Sequence, residues 1–302
     1  MLETRAFEPE FIQRLDNLIL GTRRARTIRA GRRNVGRIQG GGIEVENFRQ
    51  YAEGDDLRFL DWNAFARLDH LAIRTFRADR QVELTVMIDA SASMAVPERD
   101  DKLGLALALG AGLAYIGMSE NDPVRLVAFA RRRGGRTLET TPFHRRRESY
   151  PGFRPFVTGI RCGGETRLAA AVGELLLERR QPGIVVVISD FLVNPGDYED
   201  ALAQLLAARH EVKLLHVMGD REAAGTYPPP GAYRARDSET GEMREVMLGA
   251  REAEACRQRV EMHADRLRDF CTRRGISYAR AFGASQLDAI IAQEFPRLGV
   301  IT

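Results

Sequence analysis

The feature that most constrains this chain is an alternation that begins near residue 80. The runs "VELTVMID" (82–89), "PVRLVAFA" (123–130), "GIVVVISD" (183–190), "EVKLLHV" (211–217) and "ISYARA" (276–281) are short, apolar and nearly unbroken. Between and after them stand stretches of helical length: "KLGLALALGAGLAYIGMS" (102–119), "TRLAAAVGELLLERR" (166–180), "DYEDALAQLLAARH" (197–210) and "SQLDAIIAQEF" (285–295). A strand that is apolar at every position needs cover on both faces. Strands that trade places with helices supply that cover, so the expected fold is α/β with a doubly wound, mainly parallel sheet.

The rest of the chain departs from that rhythm. Residues 8–20 carry Phe11, Ile12, Leu15, Leu18 and Ile19 at helical spacing. They lead into "GTRRARTIRAGRRNVGRIQGGG", whose arginines, from Arg23 to Arg37, stand without an intervening acid. Residues 44–79 are dense in charge, hold the sole tryptophan, Trp62, and end in "LAIRTF", which alternates like an edge strand. We therefore divide the chain into an N-terminal extension, 1–79, and an α/β domain, 80–302. Within the domain, 220–250 reads as a small β insertion, a proline turn followed by a hairpin around "SETGE". A long charged helix follows, from about Arg251 to Arg274.

Hydrophobic residues make up 44% of the chain, enough for a core of this kind, and the net charge is only +3, which gives nucleic acid little general attraction. The only lysines are Lys102 and Lys213, a bias read here as codon usage. Cys162, Cys256 and Cys271 are too few and too scattered for a zinc site or a disulfide framework. The start "MLETRAFEPEF" lacks the order of a secretory signal, and no apolar run is read as a membrane span. The expected location is the cytoplasm. The five histidines are scattered without metal-ligand spacing.

The chemistry gathers at strand ends. In open α/β sheets the functional crevice lies beyond the carboxyl ends of the strands. "VMID" ends at Asp89 and "VVVISD" at Asp190; Ser91 and Ser93 follow Asp89, and Thr166 closes the glycine turn "GGET". These five donors are all oxygen, which selects a hard cation, Mg²⁺ or Mn²⁺. Neutral hydroxyls leave such an ion with an appetite for one more anionic ligand, such as a carboxylate from a partner protein. No general base accompanies the set, so the expectation is a binding site and not an enzyme.

"DASASM", "GGET" and "ISDF", in that order, resemble the metal-ion-dependent adhesion site of von Willebrand factor A domains. The resemblance implies Asp89, Ser91, Ser93, Thr166 and Asp190 as metal ligands. Upstream, "GGGIEVENFRQYAEGDDLRFLDWNAFARLDHLAIRTF" resembles the bacterial domain-of-unknown-function family number fifty-eight. It keeps that family's Arg49, Tyr51, Gly54, Asp55, Asp56, Arg58, Asp61, Trp62, Ala66 and Arg67, and departs at Val45 and Phe59-Leu60. The "ETGE" of Glu239 to Glu242 fits its later hairpin. This second resemblance implies a von Willebrand factor A-like half and a MoxR-type AAA+ ATPase as partner. The chain would then act as a metal-dependent adaptor in maturing or remodelling a client protein. Asp55, Asp56 and Arg58 read either as turn caps or as partner contacts, and Trp62 as packing against the sheet.

Three rival functions compete with this reading. A phosphohydrolase of haloacid-dehalogenase type would use an aspartate nucleophile at a strand end, but Ser91 stands where its second aspartate belongs. A serine hydrolase lacks its GxSxG turn. A nucleic-acid binder would use Arg23 to Arg37, against a near-neutral total charge and with no recognition motif.

Overall fold

The computed structural model describes residues 2–30, 45–51, 60–62, 65–66, 71–76, 82–130, 137–178, 180–224, 226, 231–236, 242–283 and 286–299. Asp55, Asp56, Arg58, Arg67 and Glu239, and the end of the arginine segment from 31 onward, lie outside these residues. The chain divides into two units, one of Ala25–Gln81 and one of Met1–Arg24 with Val82–Thr302.

The larger unit opens with α1 (Leu2–Arg5) and α2 (Pro9–Ala30); the latter runs on past the expected stop into the arginine segment. Its apolar face, Phe11, Leu15 and Ile19, is buried in the core of the large unit. The first 24 residues therefore group with the α/β domain and not with the segment that follows them.

Six strands form the central sheet: β3 (Leu84–Asp89), β4 (Val124–Phe129), β5 (Leu138–Thr140), β6 (Ile184–Ser189), β7 (Glu211–Met218) and β10 (Ser277–Phe282), in the order β10-β7-β6-β3-β4-β5. Every pairing is parallel except β4 with β5, an antiparallel edge. The period of two in a strand sorts the side chains between the faces. Val86 and Ile88 join one core cluster, while Met87 joins the other. The first cluster also holds α3 (Lys102–Ser119), α4 (Arg154–Gly159) and α9 (Leu287–Leu298), together with the apolar face of α2. The second holds α5 (Leu168–Leu176), α6 (Pro195–Ala207) and α8 (Ala250–Arg274). The architecture is thus a mixed α/β fold around a mostly parallel sheet.

Helix α3 runs down the middle of the first cluster and is buried almost throughout. Residues Glu98–Ser119 are long and apolar enough to cross a membrane by length and composition, contrary to the reading that no run reaches that length. Within the fold, 89% of the apolar window is buried. Its glycines let it approach the strands closely: a Cβ on Gly110 would fall 2.6 Å from Ile88 Cδ1.

Short α7 (Asp220–Ala223) follows β7, and the insertion forms an antiparallel hairpin of β8 (Gly231–Arg236) and β9 (Met243–Leu248). In the smaller unit, β1 (Val45–Gln50) pairs antiparallel with β2 (Ala72–Phe76), with a bulge between Val45 and Asn47. Asp61 N–H donates to Ala72 O. Trp62, expected to pack against the sheet, is instead 63% exposed and meets Phe65 edge-on at 6.5 Å.

Candidate cation site

Strand order reverses at β3, which has β4 on one side and β6 on the other. A crevice opens at such a switch point, outside the carboxyl ends of the strands. Asp89 ends β3; Ser189 ends β6 and Asp190 follows it. Ile88 is paired with Ile188, so the two carboxylates leave the sheet along the same rim.

Three loops build the site. The first carries Asp89, Ser91 and Ser93. Asp89 Oδ1 accepts from Ser91 N–H at 2.9 Å, an Asx-type turn that swings the loop back over the strand end. The hydroxyls of Ser91 and Ser93 then meet at 3.0 Å. The second loop is "GGET". Gly163 N–H donates to Ala90 O and Ala92 N–H to Gly164 O, which ties this turn to the first loop. Thr166 is buried just beyond it, before α5. Glu165 pairs with Arg167 at the surface.

The third loop follows β6. Phe191 sits at φ 51°, in the left-handed region that a bulky side chain seldom enters. Two side chains hold this turn: Phe191 N–H donates to Ser189 Oγ at 2.9 Å, and Leu192 N–H to Asp190 Oδ1 at 3.1 Å. The Ser189 hydroxyl in turn donates to Asp89 Oδ2 at 2.6 Å, joining the third loop to the first. The structure therefore brings Asp89, Ser91 and Ser93 into direct or hydrogen-bonded contact. Asp190 faces the same rim, and Thr166 is on the loop bound to it.

Electrostatics make this an unsettled place for two carboxylates. Asp89 and Asp190 are both wholly buried. Burial, then the charge of Asp190, pushes Asp89 up to about 7, against the pull of the Ser189 and Ser91 hydrogen bonds. Burial and the charge of Asp89 also push the nearby Cys162 thiol up to about 12, so it stays protonated at neutral pH.

Two groups here escape a reading of the sequence. Ser189 looks like the last residue of an apolar strand, yet it is the link between loops. Lys102, at the start of α3, is 1% exposed. Its ammonium donates to Asp190 Oδ2 at 2.9 Å and lies 3.1 Å from Glu222 Oε2 on α7. Burial alone would drag this ammonium down, but Asp190 and Glu222 together outweigh it and hold it above the usual lysine value. The other lysine, Lys213, is also buried, bonded to Glu211 Oε1 and Leu298 O. The codon-usage reading therefore misses that both lysines occupy interior positions. A faint signal was present: two lysines among 45 basic residues.

Two of the histidines, far apart in sequence, come together. His216 on β7 and His263 on α8, distant in sequence, stack edge to face with ring centroids 5.4 Å apart. His216 Nδ1 contacts the Tyr278 hydroxyl at 2.9 Å, while the Nε2 atoms of both histidines are buried without a hydrogen-bond partner among the described residues. Burial, with His263 second, pushes His216 down to about 3, so it is neutral at physiological pH. Among the described residues, no three His, Cys, Asp or Glu side chains cluster as a metal site. Any cation at the rim would depend on hydroxyl donors as well as carboxylates.

The family described as "Protein of unknown function DUF58" matches residues 47–269. Uncharacterized protein Rv1480 of Mycobacterium tuberculosis is 31% identical over 251 residues, spanning 81% of this chain and 72% of the relative. Uncharacterized protein Mb1516 of Mycobacterium bovis matches to the same extent. Among solved structures, BatB from Bacteroides thetaiotaomicron superposes with a TM-score of 0.40 at 16% identity, over 72% of this chain and 98% of that one. An aerotolerance-related membrane protein from Bacteroides fragilis gives a TM-score of 0.39 at 19% identity, over 72% and 99%.

Proposed function

Because this chain belongs to the DUF58 family, we propose that it is a non-enzymatic, cation-dependent protein-interaction module with a von Willebrand factor A-like adhesion site. One observation carries the reading. Two buried carboxylates share a sheet rim with a pair of hydroxyls 3.0 Å apart, and one carboxylate is pushed toward neutrality by burial and then by the other's charge.

The residues fit a hard divalent ion. Asp89 Oδ1 accepts from Ser91 N–H and Oδ2 from the Ser189 hydroxyl, and each carboxylate oxygen has a second lone pair to give. Asp89, Ser91, Ser93, Thr166 and Asp190 would hold Mg²⁺ or Mn²⁺, directly or through water. When bound, the ion would supply positive charge with room for one further anionic oxygen, such as a partner's carboxylate. The chain's own residues do the rest. Ser189 keeps Asp89 oriented, the Asx turn aims the two serines, and Lys102 anchors Asp190. Leu192, 43% exposed on the loop after β6, offers apolar contact beside the rim.

The partner proposed, as the family resemblance implies, is a MoxR-type AAA+ ATPase acting in the cytoplasm on a client protein. The test is a pull-down of that ATPase with and without EDTA, using wild type and Ser91→Ala/Ser93→Ala. Binding that is lost on chelation and in the variant supports the reading. Binding indifferent to both refutes it.

A second reading has one observation in its favour. Lys102 brings an ammonium to a strand-end aspartate, as a phosphohydrolase of haloacid-dehalogenase type requires. Against it, Ser91 still replaces the second acid, and Asp89 pushed to about 7 is a weakened nucleophile at neutral pH. Metal-dependent hydrolysis of a generic phosphate ester, abolished by Asp89→Asn, would establish it.

A further inference from the structure

We propose that Lys102 is a built-in counter-ion that competes with the divalent cation for Asp190 and sets the affinity of the site. The inference rests on the cation-site reading above and adds a residue outside that donor set.

Lys102 is held by both acids at once. Its ammonium reaches Asp190 Oδ2 at 2.9 Å and Glu222 Oε2 at 3.1 Å. Asp190 follows β6 and Glu222 lies on α7 after β7, so the ammonium bridges two neighbouring strand ends. Glu222 is one-fifth exposed, whereas Lys102 and Asp190 are almost completely enclosed.

The bridge has a consequence for binding. An ion approaching Asp190 meets an ammonium already bonded to that carboxylate, and like charges this close repel strongly in a buried setting. Glu222 offers the ammonium a second anchor. Lys102 can stay paired with Glu222 while Asp190 turns its charge to the ion. A lysine suits this exchange because its ammonium is a compact charge on a flexible stem with three rotatable donors. The site would then have two arrangements: Lys102 shared by both acids, as here, or Lys102 on Glu222 alone with Asp190 given to the ion.

Mn²⁺ titration of the full chain by calorimetry tests this, with Lys102→Met and Glu222→Gln as the informative pair. Lys102→Met removes the competitor, so the Kd for Mn²⁺ should fall by about tenfold or more. Glu222→Gln removes the second anchor, so the Kd should rise several-fold. The opposite shifts distinguish competition from general damage, and Glu222, being partly exposed, keeps the test decisive if Lys102→Met fails to fold. If both variants bind as wild type does while Ser91→Ala/Ser93→Ala does not bind, the counter-ion role is overturned and the cation site stands. If Lys102→Met binds Mn²⁺ and wild type does not, the counter-ion role is supported and a resident metal in the native protein is refuted. If none of these proteins binds Mn²⁺, the cation reading and this inference fall together.

Discussion

Asp89 offers the sharpest quantitative test, because its burial makes it costly to the fold when no cation is present. An unfolded aspartate ionises near 3.8, while the folded Asp89 carboxyl is pushed up to about 7. A raised carboxyl pKa means that the folded chain keeps its proton where the unfolded chain has lost it. Stability therefore falls as pH rises from about 4 to 7 and levels off above that. At 1.36 kcal/mol per pH unit, the penalty is roughly 2 kcal/mol at pH 5 and roughly 4 kcal/mol at pH 8. Asp89→Asn does not titrate. It can keep the bond from Ser91 N–H, and its amide can donate to Ser189 Oγ, at a cost that does not change with pH.

The measurement is urea unfolding in EDTA at pH 5 and pH 8, read as the difference between variant and wild type. Taking the difference removes other titrations, including that of His216, which runs in the opposite direction. The variant should gain on wild type by roughly 2 to 3 kcal/mol between the two pH values. Adding millimolar Mg²⁺ at pH 8 should then restore wild type and leave Asp89→Asn unchanged, since only a site with its charge intact recovers free energy from the ion. A difference that does not move with pH would refute the burial argument for Asp89. A pH-dependent difference with no response to Mg²⁺ would leave burial in place and refute the cation.

Three other perturbations bear on the same architecture. Ser189→Ala strands the Phe191 N–H and one lone pair of Asp89, so it should destabilise by about 2–3 kcal/mol in urea unfolding, far more than an isolated surface serine would. His216, neutral in the fold with its pKa pushed down to about 3, takes up a proton near 6.5 once unfolded; stability is full above 6.5 and is lost as pH falls toward 3. Relative to His216→Phe, wild type should lose about 2 kcal/mol between pH 7 and pH 5 by the same assay. Gly110→Val should cost about 1–3 kcal/mol, because its first carbon already lies 2.6 Å from Ile88 Cδ1; thermal unfolding that matches wild type would show that α3 can retreat from β3.

The parts legible in the sequence were those set by local pattern. Six consecutive buried residues in β3 show as a continuous apolar run, and a parallel sheet places every strand's carboxyl end on one rim. That is why Asp89 and Asp190 could be assigned to one edge without coordinates. The parts that were not legible depend on long-range register. His216 and His263 meet only because α8 packs against β10, the neighbour of β7 in the sheet, and nothing in their spacing of 47 residues encodes it. Trp62 shows the same limit from the other side, since residue type favoured burial and the side chain is 63% exposed. Lys102 is the most instructive case. Its partner Asp190 is 88 residues away, and the contact exists because Asp101, at φ 43°, caps α3 and starts that helix at the rim. In a chain that uses arginine for almost every surface cation, the two lysines are the two cations buried to 2% exposure or less among the described residues. Arginine's planar fork favours a fixed bidentate partner, whereas lysine's single ammonium can change partners within a small space. The choice of lysine at 102 therefore fits a cation that must move between two acids better than one that only closes a salt bridge.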